Sequence, residues 1–162
     1  MRFHLVDRIL ELEPGKRIRM VKNLTLAEEY LADHFPRFPV MPGVLMLQAL
    51  VESASWLVRL TEDYRHSVIA LREVKNVKYG TFMEPGKSLV TSVEWVEEDT
   101  PQALVTFKGK GEMDGQSAVS ARFTVIRYDL RDRKADLASI DERIVRQLRE
   151  HYLVLSGAVA GA

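Results

Sequence analysis

The nineteen residues from Pro42 to Leu60, PGVLMLQALVESASWLVRL, constrain this chain more than any other feature. They are too many and too continuously apolar for a strand, and they predict a helix at the buried centre of a fold. Gln48, Glu52, Ser55 and Arg59 follow one another at spacings of four, three and four, which places them on one face of that helix. Such a stripe reads either as the solvent side of an amphipathic helix or as part of a site.

The approach to the helix, DHFPRFPVMPG from Asp33 to Gly43, is unusually rigid. Pro36 and Pro42 push Phe35 and Met41 out of the α region, and with Pro39 they predict a stiff, extended connection that holds His34 in a defined place. Pro42 suits the first helical position, where its missing N–H is no loss. Met41 before it has no side chain that can cap. The N–H groups at Gly43 and its neighbours are therefore expected to lack a side-chain acceptor, and without a Cβ Gly43 admits a second group close to the backbone. Free donors at a helix start suit an oxygen that carries partial negative charge, such as a thioester carbonyl on its way to an enolate. With His34 as base, this assembly fits removal of a proton α to that carbonyl.

Around this centre the pattern is β-rich. FHLVDRILELE, residues 3–13, ends at Pro14-Gly15, and RIRMVKNLTL then alternates with Ile18, Met20 and Leu24 on one side. From Ser67 onward come VIALREVKNVKYG, SLVTSVEWVEE, ALVTFKGKGEM and SAVSARFTVIRYDL, separated by turn signals at Glu84-Pro85-Gly86 and Met113-Asp114-Gly115. Leu89, Thr91, Val93 and Trp95 alternate with Val90, Ser92 and Glu94, as in an antiparallel meander. A charged connector from Arg131 leads to a second helix, for which Ser139 and Glu142 read as a capping box and Ile140, Ile144, Leu148 and Tyr152 as the apolar stripe. The closing SGAVAGA reads as a frayed tail. One apolar helix with five or six antiparallel strands predicts an α+β layer architecture in which the sheet wraps the helix.

Composition narrows the function. The 162 residues suit a single domain, and 23 basic residues balance 23 acidic ones, so no global field draws the chain to nucleic acid or an anionic membrane. There is no cysteine, which excludes disulfides, thiolate metal sites and a cysteine nucleophile. No metal or nucleotide motif is present, His4, His66 and His151 show no ligand pattern, and no cofactor is expected. Charges interrupt the opening MRFHLVDRIL, and no apolar stretch is expected to reach a membrane-spanning length, so the chain reads as cytoplasmic.

His34-Phe35-Pro36 followed by Pro39-Val40-Met41-Pro42-Gly43-Val44-Leu45 resembles the signature of the β-hydroxyacyl-acyl carrier protein dehydratases of type II fatty acid synthesis. Leu5 to Thr25 is similar to that family's opening hairpin, Val74 to Lys87 to its strand before a Pro-Gly turn, and Val105 to Phe123 to its closing hairpin. The resemblance implies a hotdog fold over residues 1–130, with 131–162 as an added helix and flexible tail. It also implies a homodimer, possible further assembly, and an acyl tunnel between protomers lined by Phe35, Pro42 and Val44. Carried over by position, His34 is the catalytic histidine, and the Gly43 N–H polarises the thioester carbonyl of an acyl carrier protein or acyl-CoA substrate. The family's acid falls fourteen residues after the histidine, where this chain has Gln48, and Glu52 stands where the family usually has glutamine. An amide holds a hydrogen bond but has no proton to transfer near neutral pH. Arg37 replaces a usual glycine, and Gly80 and Phe82 replace a usual basic residue and proline.

Three readings follow from these residues. One is a dehydratase in which Gln48 orients substrate or Glu52 serves as acid; the second is an acyl-thioester-binding hotdog protein that has lost turnover; the third is an acyl thioesterase. Arg37, Arg72, Lys75 and Lys78 are the candidate contacts for an acidic carrier.

Overall fold

The computed structural model of the chain describes residues 4–158. The reading that starts a segment at Phe3 and the frayed reading of the last four residues lie outside them. β1 (Arg8–Glu13) and β2 (Arg17–Asn23) form a hairpin around Gly15, whose φ of 72° lies in the left-handed region. The alternation of β2 buries Ile18 and Met20 completely, as expected. After a loop comes α1 (Gly43–Thr61), and then four long strands follow: β3 (Val68–Tyr79), β4 (Ser88–Asp99), β5 (Leu104–Met113) and β6 (Gln116–Tyr128). All pairings are antiparallel, in the order β1-β2-β4-β5-β6-β3, so β1 and β3 are the two edges of one six-stranded sheet. Asp114 and Gly115, both at positive φ, turn β5 into β6 as the Asp-Gly signal predicts.

The sheet closes on α1. Leu50, Ala54 and Leu57 are fully buried against Leu89, Val93, Phe107, Phe123 and Val125, and Trp56 is buried with them. Each large side chain so covered contributes roughly 1.5–3 kcal/mol. The helix comes this close because β5 carries a glycine beneath it: a Cβ at Gly109 would lie 2.9 Å from Phe123 Cε1 and 3.1 Å from Leu50 Cδ1. One expectation needs correction here. By length and composition, the 19 residues of α1 do suffice to cross a membrane, although more than half of them are buried inside this fold, as in a core helix. Arg127 of β6, itself buried, pairs with Glu62 at the end of α1 and with Glu98 of β4, so the helix end is tied to two strands.

A second helix, α2 (Ala138–Leu155), packs on the outside of this unit. The expected capping box does not form. The N-cap is Leu137, the last residue of a short 3-10 turn, and no side chain caps the helix. Ser139 is already inside the first turn, and the reciprocal cap is made earlier, between Asp129 and Asp132. The packing line is also displaced: Val145, Leu148 and Tyr152 meet the core and Asp141 and Leu155 are buried, whereas Ile140 and Ile144 look into a groove beside His4.

Asp141 is the clasp of this helix. Its buried carboxylate accepts from Ser67 Oγ–H, from the N–H of Leu130 at 2.9 Å and from the N–H of Arg131 at 3.0 Å. Burial pushes this carboxyl up, but those donors outweigh it and hold it down at about 2. A depressed carboxyl stabilises the fold above its ordinary pKa, and that contribution is lost as pH falls from about 4 toward 2. Asp141→Ala is expected to cost roughly 1–3 kcal/mol at pH 7. In thermal denaturation between pH 2 and 7 the wild type should lose stability below pH 4 more steeply than the variant.

Candidate active site

The loop that carries His34 is held at both ends and open between them. Before it, Leu31 is buried, and the buried Lys22 of β2 pairs with Glu28. After it, Val40 and Met41 are buried, and the Met41 N–H donates to Met83 O at 2.8 Å. The stretch in between is not the extended rod that the prolines suggested. Phe38 N–H returns to Phe35 O at 2.7 Å, closing a turn over Pro36 and Arg37, and Phe35 takes a φ of 51°. Pro36 excludes the right-handed helical region at Phe35, and the chain uses the left-handed one, a costly choice for an aromatic residue that the pinned ends maintain. His34 sits half-buried at this bend with its ring 4.5 Å from that of Phe35. Phe38 meets Phe82 edge-on at 5.8 Å, which ties the far side of the turn to the segment after β3.

At the start of α1, Pro42 is the N-cap, with no side-chain hydrogen bond. Its carbonyl takes the N–H groups of Leu45 and Met46. Among the described residues, the N–H groups of Gly43 and Val44 have no partner, as the sequence predicts. The residue that packs against Gly43 is Tyr79: a Cβ at position 43 would lie 3.0 Å from Tyr79 Cε1, a contact tight enough to displace the ring. Val44, Phe35, Phe38, Tyr79 and Phe82 are all large apolar side chains left exposed around this helix start.

The polar stripe of α1 divides. Gln48, one turn beyond Val44, is exposed. Ser55 is buried and spends its hydroxyl on Val51 O. Glu52 faces the N-terminal segment: its Oε2 accepts from Leu5 N–H at 2.8 Å and Val6 N–H at 3.4 Å, and its Oε1 lies 3.5 Å from His4 Nδ1. Burial pushes this carboxyl up from its ordinary value against those bonds and the charge of His4. That direction suits an acid, but the bonds assign the group to anchoring Leu5 and Val6. Arg59 lies over Trp56 at 5.6 Å, with burial drawing its guanidinium down to about 10. The stripe is thus not a solvent face beyond Gln48.

The sequence model of the family described as "FabA-like domain" matches residues 1–122, three quarters of the chain. The chain belongs to this family. It is 40% identical over 126 residues to the 3-hydroxyacyl-[acyl-carrier-protein] dehydratase FabZ of Albidiferax ferrireducens, covering 75% of this chain and 82% of that protein. The enzyme of the same name from Aromatoleum aromaticum is 36% identical over 125 residues, with 75% and 85% covered. Among solved structures, the dehydratase heterocomplex ApeI:P from Xenorhabdus doucetiae superposes with a TM-score of 0.67 at 12% identity, over 85% of this chain and 88% of that one. A Streptococcus mutans protein bound to acetyl CoA does so with a TM-score of 0.56 at 14% identity, over 78% and 92%. At these identities the likeness is one of fold, and with the family match it establishes the α+β hotdog architecture. The match ends within β6, so α2 lies wholly beyond it.

Tyr79 and the Phe38–Phe82 pair escaped the sequence reading. The only trace of Tyr79 was an aromatic residue directly before Gly80 at the end of a strand. The anchoring role of Glu52 predicts a stability effect. Glu52→Ala removes the acceptor of two buried N–H groups and should cost roughly 1–3 kcal/mol in urea denaturation, with Glu52→Gln costing less because its amide oxygen still accepts.

Proposed function

We propose that this chain dehydrates 3-hydroxyacyl thioesters carried on acyl carrier protein to trans-2-enoyl thioesters, in the cytoplasm and in fatty acid or lipid synthesis. The feature that supports this most is the uncapped first turn of α1 beside the pinned His34 loop, in a family whose curated relatives carry dehydratase names. The unit assigned to the chemistry is residues 1–130, with α2 as an addition beyond it.

In this reading the thioester carbonyl oxygen accepts from the Gly43 N–H, which lowers the cost of charge gathering there when the C2 proton leaves. His34 takes that proton. The C3–O bond then breaks, the C2–H electron pair forms the C2=C3 bond, and His34 returns the proton to the departing oxygen, so that one water leaves. Gln48 holds that hydroxyl with its amide but gives it no proton. Glu52 serves as an alternative acid only by releasing Leu5 and Val6.

The exposed side chains of Phe35, Phe38, Val44, Tyr79 and Phe82 support a homodimer that covers them, with Pro42 and Val44 lining an acyl tunnel at the seam. β3 supports it too, as a 12-residue edge strand with one side unpaired. In that dimer Gln48 faces the partner's site. The acidic carrier would meet Arg37, Arg72, Lys75 and Lys78, which are all exposed.

The test is loss of water from a 3-hydroxybutyryl thioester of carrier protein, followed by enoyl absorbance. His34→Ala should lower kcat by about 100- to 10,000-fold, the contribution of a positioned base. Gln48→Glu should raise kcat, because it adds a transferable proton. Folded wild type as inert as His34→Ala would leave a thioester-binding protein, and thiol release without water loss would make the chain a thioesterase.

A further inference from the structure

We propose that Tyr79 is a further residue of the thioester site, its phenol hydroxyl giving the carbonyl oxygen a second hydrogen bond beside the Gly43 amide. This assignment rests on the carbonyl lying at the start of α1, as above.

Two close approaches bring Tyr79 there. At Gly80 a Cβ would lie 2.1 Å from Ser117 O, a contact with backbone that no side-chain movement relieves. The chain therefore hugs β6 at this point, with Gly80 N–H donating to Ala118 O at 2.8 Å and Tyr79 paired with Val119. At the other end the ring lies tight against residue 43, where a Cβ would be 3.0 Å from Cε1, 3.1 Å from Cδ1 and 3.3 Å from Cζ. The backbone is thus fixed by one glycine and the ring is admitted by the other.

The ring alone would satisfy this packing, so the hydroxyl has no packing task. It is carried by Cζ, 3.3 Å from where a Cβ at residue 43 would sit, and so lies near the helix turn whose Gly43 and Val44 amides lack partners. Tyr79 is about half exposed, and its hydroxyl bonds to nothing among the described residues. A phenol is an O–H donor to an oxygen that becomes negative, and a donor that strengthens as charge develops raises kcat more than affinity.

Tyr79→Phe removes one oxygen and keeps the ring. With the 3-hydroxybutyryl carrier thioester it should lower kcat by about 100-fold while leaving KM within about two-fold. An unchanged kcat in an active enzyme overturns the assignment. A second measurement does not depend on turnover. In the His34→Ala background the infrared carbonyl stretch of bound crotonyl-pantetheine should lie lower in frequency with Tyr79 intact than after Tyr79→Phe. Bands at the same frequency overturn the assignment. A Tyr79-dependent shift in a wild type that never loses water upholds the carbonyl site and removes only the dehydratase reading. Failure of crotonyl-pantetheine to bind at all removes both.

Discussion

The rest of the structure depends on the burial of α1 in the sheet. Leu50 and Phe123 close over β5 at a glycine, residue 109, where any Cβ would push them apart, and that contact helps set how deeply the helix lies. With its depth and its far end fixed, the latter by Glu62 and Arg127, the helix presents its first turn at one place on the rim. The amides of Gly43 and Val44 cannot be absorbed by a shift of the helix, because a shift would break the packing of Trp56 and Leu57. A site made of backbone donors gains its accuracy from a core that has no catalytic residue in it.

A division of labour along α1 follows from this. Its first two turns, with Val44 and Gln48, are left open, while the turns that follow are closed by the N-terminal segment and α2. Glu52 marks the boundary. A largely buried carboxyl in a mostly apolar helix costs free energy unless it is satisfied, and here it is satisfied by Leu5 and Val6, so its chemistry is spent on architecture. Asp141 does the corresponding work for α2, gathering Ser67, Leu130 and Arg131 around one carboxylate. Two acids with opposite pKa directions thus hold the outer layers, one raised by burial and the other lowered by its donors.

Much of this was legible in the residues. Period-two alternation found the buried faces of β2 and β4, and the apolar run found α1 to within a residue, because both patterns report burial directly. The lack of a cap at Gly43 was legible because it depends only on which residues stand beside it. The turn at Phe35 was not, since a proline states which region its neighbour avoids and leaves open which it adopts. Nor was the fate of Glu52, whose partners lie forty-six and forty-seven residues away in sequence. Spacing on a helix shows which side chains share a face and is silent on what covers them. The capping box at Ser139 failed for a related reason: the 3-10 turn of Ala135–Leu137 runs directly into α2 and moves its start ahead of the cap.

The central claim is that His34 removes the C2 proton of a thioester whose carbonyl rests on the Gly43 amide. Deuterium incorporation at C2, followed by NMR while the protein is incubated with a 3-hydroxybutyryl carrier-protein thioester in D2O, tests it directly. Deuterium should enter C2 with the wild type and not with folded His34→Ala. A wild type that leaves C2 unlabelled, or equal labelling by His34→Ala, would contradict the account.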